Sequence, residues 1–328
     1  MTFSKVIDSK KKELLVVDNL KMHFVIKGEG FLAEKKYLKA VDGISFTVYE
    51  GEVLGLVGES GCGKSTTGKL IVRLLEPTEG KIFYKGADIL SLTKHQFRKY
   101  RKEIQMIFQD PYSSLDPRQS IGRTIGEPLR VNKIKVDINK KVKSLMDEVG
   151  LREEFFSRYP HEFSGGQRQR IGVARALALD PTLIVCDEPV SALDVSIQAQ
   201  IINLMQDLQD KFQLTYLFIS HDMSVVKHMC DRIAVMYLGK FVELADKKNL
   251  FKNPKHPYTK ILLEAIPIPN PEKKKEQGAV KGDVPSPIDL PPGCRFQSRC
   301  DKCKDICKTT EPELIEVEPG HFVGCHLY

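Results

Sequence analysis

The stretch GESGCGKST, Gly58–Thr66, constrains this chain more than any other part of it. It fits G-x-x-x-x-G-K-[ST], with Gly58, Gly63, Lys64 and Ser65 at the fixed positions. EVLGLV before it (Glu52–Val57) has the composition of a short buried strand, and TTGKLIVRLL (Thr66–Leu75) that of a helix. A strand, a glycine turn and a new helix are what a phosphate-binding loop requires. The glycines let successive N–H groups turn inward at an anion, and the helix start adds unpaired donors and its dipole. Ser60, Gly61, Cys62 and Thr66 complete the cradle. Lys64 can reach the terminal phosphates, and the Ser65 hydroxyl can ligate Mg²⁺. A chance match to this pattern arises in on the order of one per cent of chains.

At 328 residues the chain suggests two domains, one of them large. No apolar run approaches the roughly 18 residues a membrane helix needs, and the first fifteen residues carry charges where a signal peptide is apolar. The expectation is a soluble, cytoplasmic chain whose membrane role, if any, comes through a partner. The net charge of +7, 50 basic against 43 acidic residues, lies largely in runs such as Lys10–Lys12 and Lys273–Lys275. No aromatic-interleaved basic stripe accompanies it, so a solvated mixed surface is expected rather than a nucleic-acid face.

Taken in order, Glu13 to Gly51 reads as a small β-rich layer. Ile44, Phe46 and Val48 alternate with Ser45 and Thr47 in the period of a half-buried strand. Phe24 or Tyr37 in this layer is the candidate to stack on a purine. PTEGKIFYKGADI reads as a turn and short strand, and IQMIFQD as a strand ending at Gln109. From Pro111 to about Pro160 the composition turns helical, with Val142, Leu145, Met146 and Val149 at helical spacing and Gly150 as a stop. EFSGGQRQRIGVARALALDP predicts a helix N-capped by Ser164, with Gly165, Gly166 and Gln167 opening a second anion-binding helix start. TLIVCDEP predicts a buried strand that delivers Asp187 and Glu188 to its C-terminal end. Asp187 suits a metal held through water, and Glu188 a general base for an attacking water. SALD (Ser191–Asp194) enters another helix, and LTYLFISHD a further strand ending at His221 and Asp222.

Together these segments resemble the ATP-binding cassette (ABC) family over roughly Glu13–Phe251. Gly58–Thr66 resembles its Walker A, Gln109 its Q-loop, Ser164–Gln167 its signature sequence, Asp187–Glu188 the end of its Walker B, Asp194 its D-loop and His221 its switch histidine. The resemblance implies an α/β P-loop NTPase nucleotide-binding domain: a RecA-like core, an antiparallel β layer and a helical subdomain near 111–160. It also implies ATP hydrolysis with Mg²⁺ held through Ser65, Gln109 and Asp187. A head-to-tail dimer follows, with each ATP between one Walker A and the other chain's Ser164–Gly166. QDPYSSLDPRQSIG (Gln109–Gly122), YPHEFSGGQRQRIGVARAL (Tyr159–Leu177) and HPYTKILLEAIP (His256–Pro267) narrow the resemblance to oligopeptide/dipeptide permease ATP-binding subunits of the F type. That implies a heterodimer with a D-type ATPase, two membrane permeases fed by an extracellular peptide-binding protein, and a peripheral place on the cytoplasmic membrane face. Importers of nickel or another small solute in the same subfamily, and a soluble ABC ATPase acting on nucleic acid or ribosomes, stay open as alternatives. A P-loop kinase is excluded by the Ser-Gly-Gly-Gln helix start and the adjacent Asp-Glu pair.

The expected division is 13–255 for the ATP-binding domain and 256–328 for a C-terminal extension, with a proline- and charge-rich linker from Pro267 to Pro292. Of eight cysteines, five fall between Cys294 and Cys325, which in a cytosolic chain argues for metal before disulfides. Cys294, Cys300, Cys307 and Cys325 supply four thiolates for a [4Fe–4S] cluster or a zinc ion, with Cys303 in reserve. Their spacing resembles the C-terminal cluster motif of peptide-importer ATPases. Ordinary reduced thiols are the third possibility.

Overall fold

The computed structural model describes residues 11–26, 35–110, 112, 114–266, 285–288 and 290–328. Most of the linker read at Pro267–Pro292 lies outside them. In chain order the strands are β1 (Glu13–Ile26), β2 (Lys36–Tyr49), β3 (Val53–Val57), β4 (Glu79–Tyr84), β5 (Ala87–Asp88), β6 (Ile104–Ile107), β7 (Leu183–Asp187), β8 (Thr215–Ser220), β9 (Arg232–Tyr237), β10 (Lys240–Asp246), β11 (Ile315–Glu318) and β12 (His321–Val323). The chain forms two compact units. One contains Met1–Tyr49, Leu54–Leu90 and His221–Tyr328, and the other Glu50–Val53 and Ser91–Ser220.

In the first unit β1 runs antiparallel to β2 and β4, and β4 to β5, in the order β2-β1-β4-β5. Ile44, Phe46 and Val48 are buried as their period predicts, and Thr47 is buried with them at 7% exposure. The register of β1 on β2 slips between Val17 and Leu20, where Asn19 takes a left-handed φ of 46° and its N–H donates to Ser45 Oγ. Such a bulge turns the sheet without leaving the extra N–H orphaned. A second set of strands runs β11-β12-β10-β9-β3. There β3 and β9 are parallel, and β9 joins β10 through Leu238–Gly239. Both turn residues have positive φ, 42° and 83°, the geometry of a type I′ hairpin. The C-terminal segment belongs to this unit, since β12 pairs with β10 through Glu243↔Val323 and Leu244↔Phe322.

The helix after the glycine loop is Lys64–Ile71, which ends four residues earlier than its composition suggests. Arg73 is left-handed at φ 53°, and its guanidinium donates to the Ile89 carbonyl (2.7 Å) and Glu76 (3.0 Å), which turns the chain away.

The second unit carries β6, β7 and β8 in parallel. Its longer helices are Ile121–Val131, Ile138–Glu148, Gly165–Leu177 and Val195–Phe212. Val142, Leu145, Met146 and Val149 are buried together, and Gly150 at φ 68° ends that helix. The strand read as reaching Gln109 stops at Ile107, the last residue with a partner on β7. No helix among the described residues is long and apolar enough to cross a membrane.

Asp42 on β2 is the charged hub of the first unit. Its carboxylate receives Arg295, His23 Nε2 at 2.8 Å and, more distantly, Lys39 Nζ at 3.6 Å. Burial raises its pKa, but Arg295 and His23 outweigh burial and hold it at about 2, below the ordinary 3.8. A depressed carboxylate contributes stability above its unfolded pKa and loses it as pH falls through the folded value. We expect Asp42→Asn to cost about 2 kcal/mol at neutral pH, with the difference from wild type full above pH ~4 and vanishing towards pH ~2. Urea melts across that range measure it, and a difference that persists unchanged at pH 2 would refute it.

Candidate nucleotide site

The glycine loop is pressed onto two strands of its own unit. A Cβ on Gly58 would stand 2.2 Å from the Met236 carbonyl oxygen, and one on Gly63 2.1 Å from that of Ala40. Both residues also hold positive φ, 153° and 110°. Only glycine fits at either place. Cys62 is buried between them, which pushes its thiol pKa up, and Gly239 N–H donates to its carbonyl at 2.8 Å. Lys64 is 3% exposed, and its Nζ donates to the carbonyls of Gly58 (2.8 Å) and Glu59 (2.9 Å). The ammonium therefore arches over the mouth of the loop at the start of its helix. Thr67 Oγ1 ties the first turn to Gly63 O at 3.0 Å. This cradle of small residues, buried cation and helix start fits a polyphosphate.

Phe24 pairs with Leu38 and Tyr37 with Val25. Successive residues of a strand face opposite ways and directly paired residues face the same way. Phe24 and Tyr37 thus lie on opposite faces of the layer, and one purine cannot lie against both. Tyr37 is 47% exposed and Phe24 half-buried.

In the second unit Asp187 ends β7 and is 4% exposed. Glu188 follows in a left-handed conformation, φ 46°, with its N–H donating to Ile219 O at 3.0 Å. Its Oε2 accepts from Gln109 Nε2 at 3.0 Å, so two residues read separately from the sequence meet. Ser164 caps the helix Gly165–Leu177 in a reciprocal box with Gln167. Gly166 lies against Ile197, whose Cγ2 would be 2.4 Å from an added Cβ. Asp194 accepts from Ile197 N–H and Ser196 Oγ, capping Val195–Phe212. His221 is exposed, in the first unit, at the exit of β8.

Sequence comparisons converge with this geometry. The ABC transporter family matches residues 41–191, and the oligopeptide/dipeptide transporter C-terminal region matches 242–307. The chain is 53% identical to the oligopeptide transport ATP-binding protein AppF of Bacillus subtilis, over 98% of this chain and 99% of that one. It is 51% identical to the oligopeptide transport ATP-binding protein OppF of Salmonella typhimurium, over 96% of both. The chain belongs to the ABC family of transporter ATPases, among the oligopeptide/dipeptide permease subunits. A solved relative is the ATP-binding cassette MJ0796 in a dimeric post-hydrolysis state with ADP and phosphate: 27% identity, TM-score 0.62, covering 71% of this chain and 99% of that one. This ABC ATPase therefore has the P-loop cassette fold.

Other residues that shape the cassette's site carried no sequence signal. Arg168, one turn into the Ser164 helix, donates to Pro160 O at 2.7 Å and lies 3.6 Å over the Tyr112 ring. Arg175 donates to Ser114 O at 2.6 Å. Nothing local in the sequence marks either partner. The cysteine expectation meets a different result. Cys294, Cys300 and Cys325 are half-buried, Cys307 is buried and Cys303 exposed, all as free thiols. Among the described residues, no three His, Cys, Asp or Glu side chains are placed to hold a metal ion. The thiols nevertheless lie within one another's field. Burial, joined by Cys307, Cys325 and Cys300, pushes Cys294 up to about 11.

We expect Gly63→Ala to lose binding of a fluorescent ATP analogue and to destabilise the fold by at least about 2 kcal/mol, from left-handed strain plus overlap with Ala40 O. Gly86→Ala, also at positive φ but with open space around it, isolates the backbone cost of about 1 kcal/mol and keeps nucleotide binding. Equal effects of the two on melting and binding would contradict this account.

Proposed function

We propose that this ATPase powers uptake of oligopeptides or dipeptides through two membrane permease subunits, on whose cytoplasmic face it docks. The near full-length likeness to AppF and OppF, both named for oligopeptide transport, carries the reading. It works in a head-to-tail cassette pair, with a D-type ATPase as the other half. Residues 13–255 are its ATP-binding domain and 256–328 its transporter-specific extension.

Lys64 and the N–H groups of Ser60–Thr66 hold the phosphates, and Phe24 or Tyr37 the adenine. Ser65, Gln109 and Asp187 are the proposed Mg²⁺ holders, the ion supplying charge neutralisation at the phosphates. Glu188, aimed by the Gln109 amide, orients the attacking water and takes its proton as the water oxygen bonds the γ-phosphorus and ADP leaves. His221 contacts the γ-phosphate. Ser164–Gln167 serve the partner's ATP, and Asp194 the contact between cassettes. Two anion-receptive helix starts in one chain suit a dimer whose sites close only when nucleotide bridges it. Attraction grows as water leaves, so ATP tightens the pair and hydrolysis loosens it.

For the thiols at Cys294, Cys300, Cys307 and Cys325 we propose a [4Fe–4S] cluster, with zinc as the other candidate. Their mutual electrostatic reach supports this, because a cation would relieve the repulsion among four thiolates. It would staple a loop-rich segment and takes no part in the steps above.

Two measurements test the proposal. Glu188→Gln removes the base but keeps the shape, and steady-state hydrolysis should fall by roughly 10²–10⁴-fold while ATP stays bound. Turnover at the wild-type rate would remove Glu188 from the role. Affinity purification from native membranes without oxygen should bring down two polytopic proteins and a second cassette, with iron in the eluate. Ribosomes or nucleic acid without membrane proteins would overturn the importer reading, and zinc or no metal the cluster.

A further inference from the structure

Glu59, the second residue of the glycine loop, is gripped at each of its polar groups. Its N–H donates to Tyr258 Oη at 2.9 Å. Its carboxylate receives the Arg299 fork at 2.8 and 2.9 Å. Its carbonyl accepts from Lys64 Nζ at 2.9 Å. Two of these three partners come from the C-terminal segment. Tyr258 is fully buried and the Arg299 side chain only 5% exposed, whereas the Glu59 side chain is 28% exposed. Tyr258 lies in a ring cluster with Tyr237 at 4.7 Å and Phe296 at 5.4 Å, so its hydroxyl is a fixed acceptor. A second hold repeats the pattern. Arg295, four residues before Arg299, donates to Leu238 O in the hairpin whose Gly239 N–H bonds the Cys62 carbonyl.

We propose that Arg299 and Tyr258 are positioning residues for the nucleotide loop, and that Arg299 also cancels the one negative charge the loop carries. The inference rests on reading Gly58–Thr66 as the site of ATP. The charge argument sets its sign. A carboxylate on a loop that wraps a triphosphate repels it, and a buried bidentate guanidinium neutralises that carboxylate at a fixed place. Removing Arg299 alone therefore does two kinds of harm, since the loop loses a fixed point and gains an uncompensated charge. Removing the Glu59 charge as well undoes the second.

The test measures the affinity of the full-length chain for a fluorescent ATP analogue, with melting temperature and circular dichroism alongside. Arg299→Ala should weaken binding by roughly ten- to a hundredfold, the size expected when a reacting group or its support is misplaced. Glu59→Gln should weaken it by only a few-fold, and the double variant should bind better than Arg299→Ala alone. Raised salt should narrow the gap between the two arginine backgrounds by screening. A merely structural arginine would lower the melting temperature and leave the affinity of the folded chain unchanged, which would overturn the proposal. So would additive losses in the double variant. If Arg299→Ala fails to fold, Arg299→Lys keeps the charge and loses the fork; wild-type affinity there would equally overturn it. Wild type and Lys64→Ala binding alike would instead mean that the loop is not the ATP site, a failure separable from this one.

Discussion

The glycine loop has its shape because two main-chain carbonyls stand where side chains would have to be. Met236 O on β9 and Ala40 O on β2 lie against Gly58 and Gly63. Strands distant in sequence thus mould the loop, and its own residues have little freedom left. That confinement accounts for the positive φ angles, for the burial of Cys62, and for Lys64 lying back over the loop carbonyls. A strained backbone persists only where its surroundings over-determine it. Here those surroundings are sheet, which holds still.

The C-terminal segment reaches the same loop through buried charges that are individually expensive. Glu243 is fully buried and accepts from Lys255 N–H at 2.8 Å, His256 N–H at 2.9 Å and His321 Nε2 at 2.7 Å. Burial raises its pKa, but this set of donors outweighs burial and holds it below the ordinary value. Burial in turn lowers His256 to about 4, so it stays neutral, and its Nδ1 accepts from Tyr258 N–H at 3.1 Å. Tyr258 is thereby set by β10 and β12 together. Leaving either partner of such a buried pair alone costs about 3–5 kcal/mol, which exceeds any single exposed ion pair in the chain. The segment is held to the loop by contacts that fail together.

Legibility in the sequence followed the range of each interaction. β3, β7 and β8 are apolar runs closed by a motif, and the capping box at Ser164 spans three residues, so both could be read locally. Asp187 and Glu188 were placed at a strand end by composition alone. The early stop at Ile71 was not visible, because it depends on Arg73 finding the Ile89 carbonyl. Arg299 had no signal at all, since its partner lies 240 positions away. Asp194, matched to the D-loop by resemblance, also caps its own helix, a role its local sequence does carry.

Glu188 shows how the fold separates aiming a group from neutralising it. Its left-handed backbone costs about 1–2 kcal/mol for a residue with a side chain. Its N–H donates to Ile219 O and its carbonyl accepts from Ser191 Oγ, and these bonds hold that conformation. The Gln109 amide, a neutral donor, gives its carboxylate a hydrogen bond at 3.0 Å. An arginine there would fix it more firmly, as Arg299 does Glu59, but charge-assisted pairing would also lower its affinity for a proton. For a group proposed to accept a proton from water, a neutral amide supplies orientation without itself bringing a positive charge to the carboxylate. One chain thus holds two carboxylates in two ways: a buried guanidinium grips Glu59, and an amide meets Glu188, the carboxylate proposed to act on water.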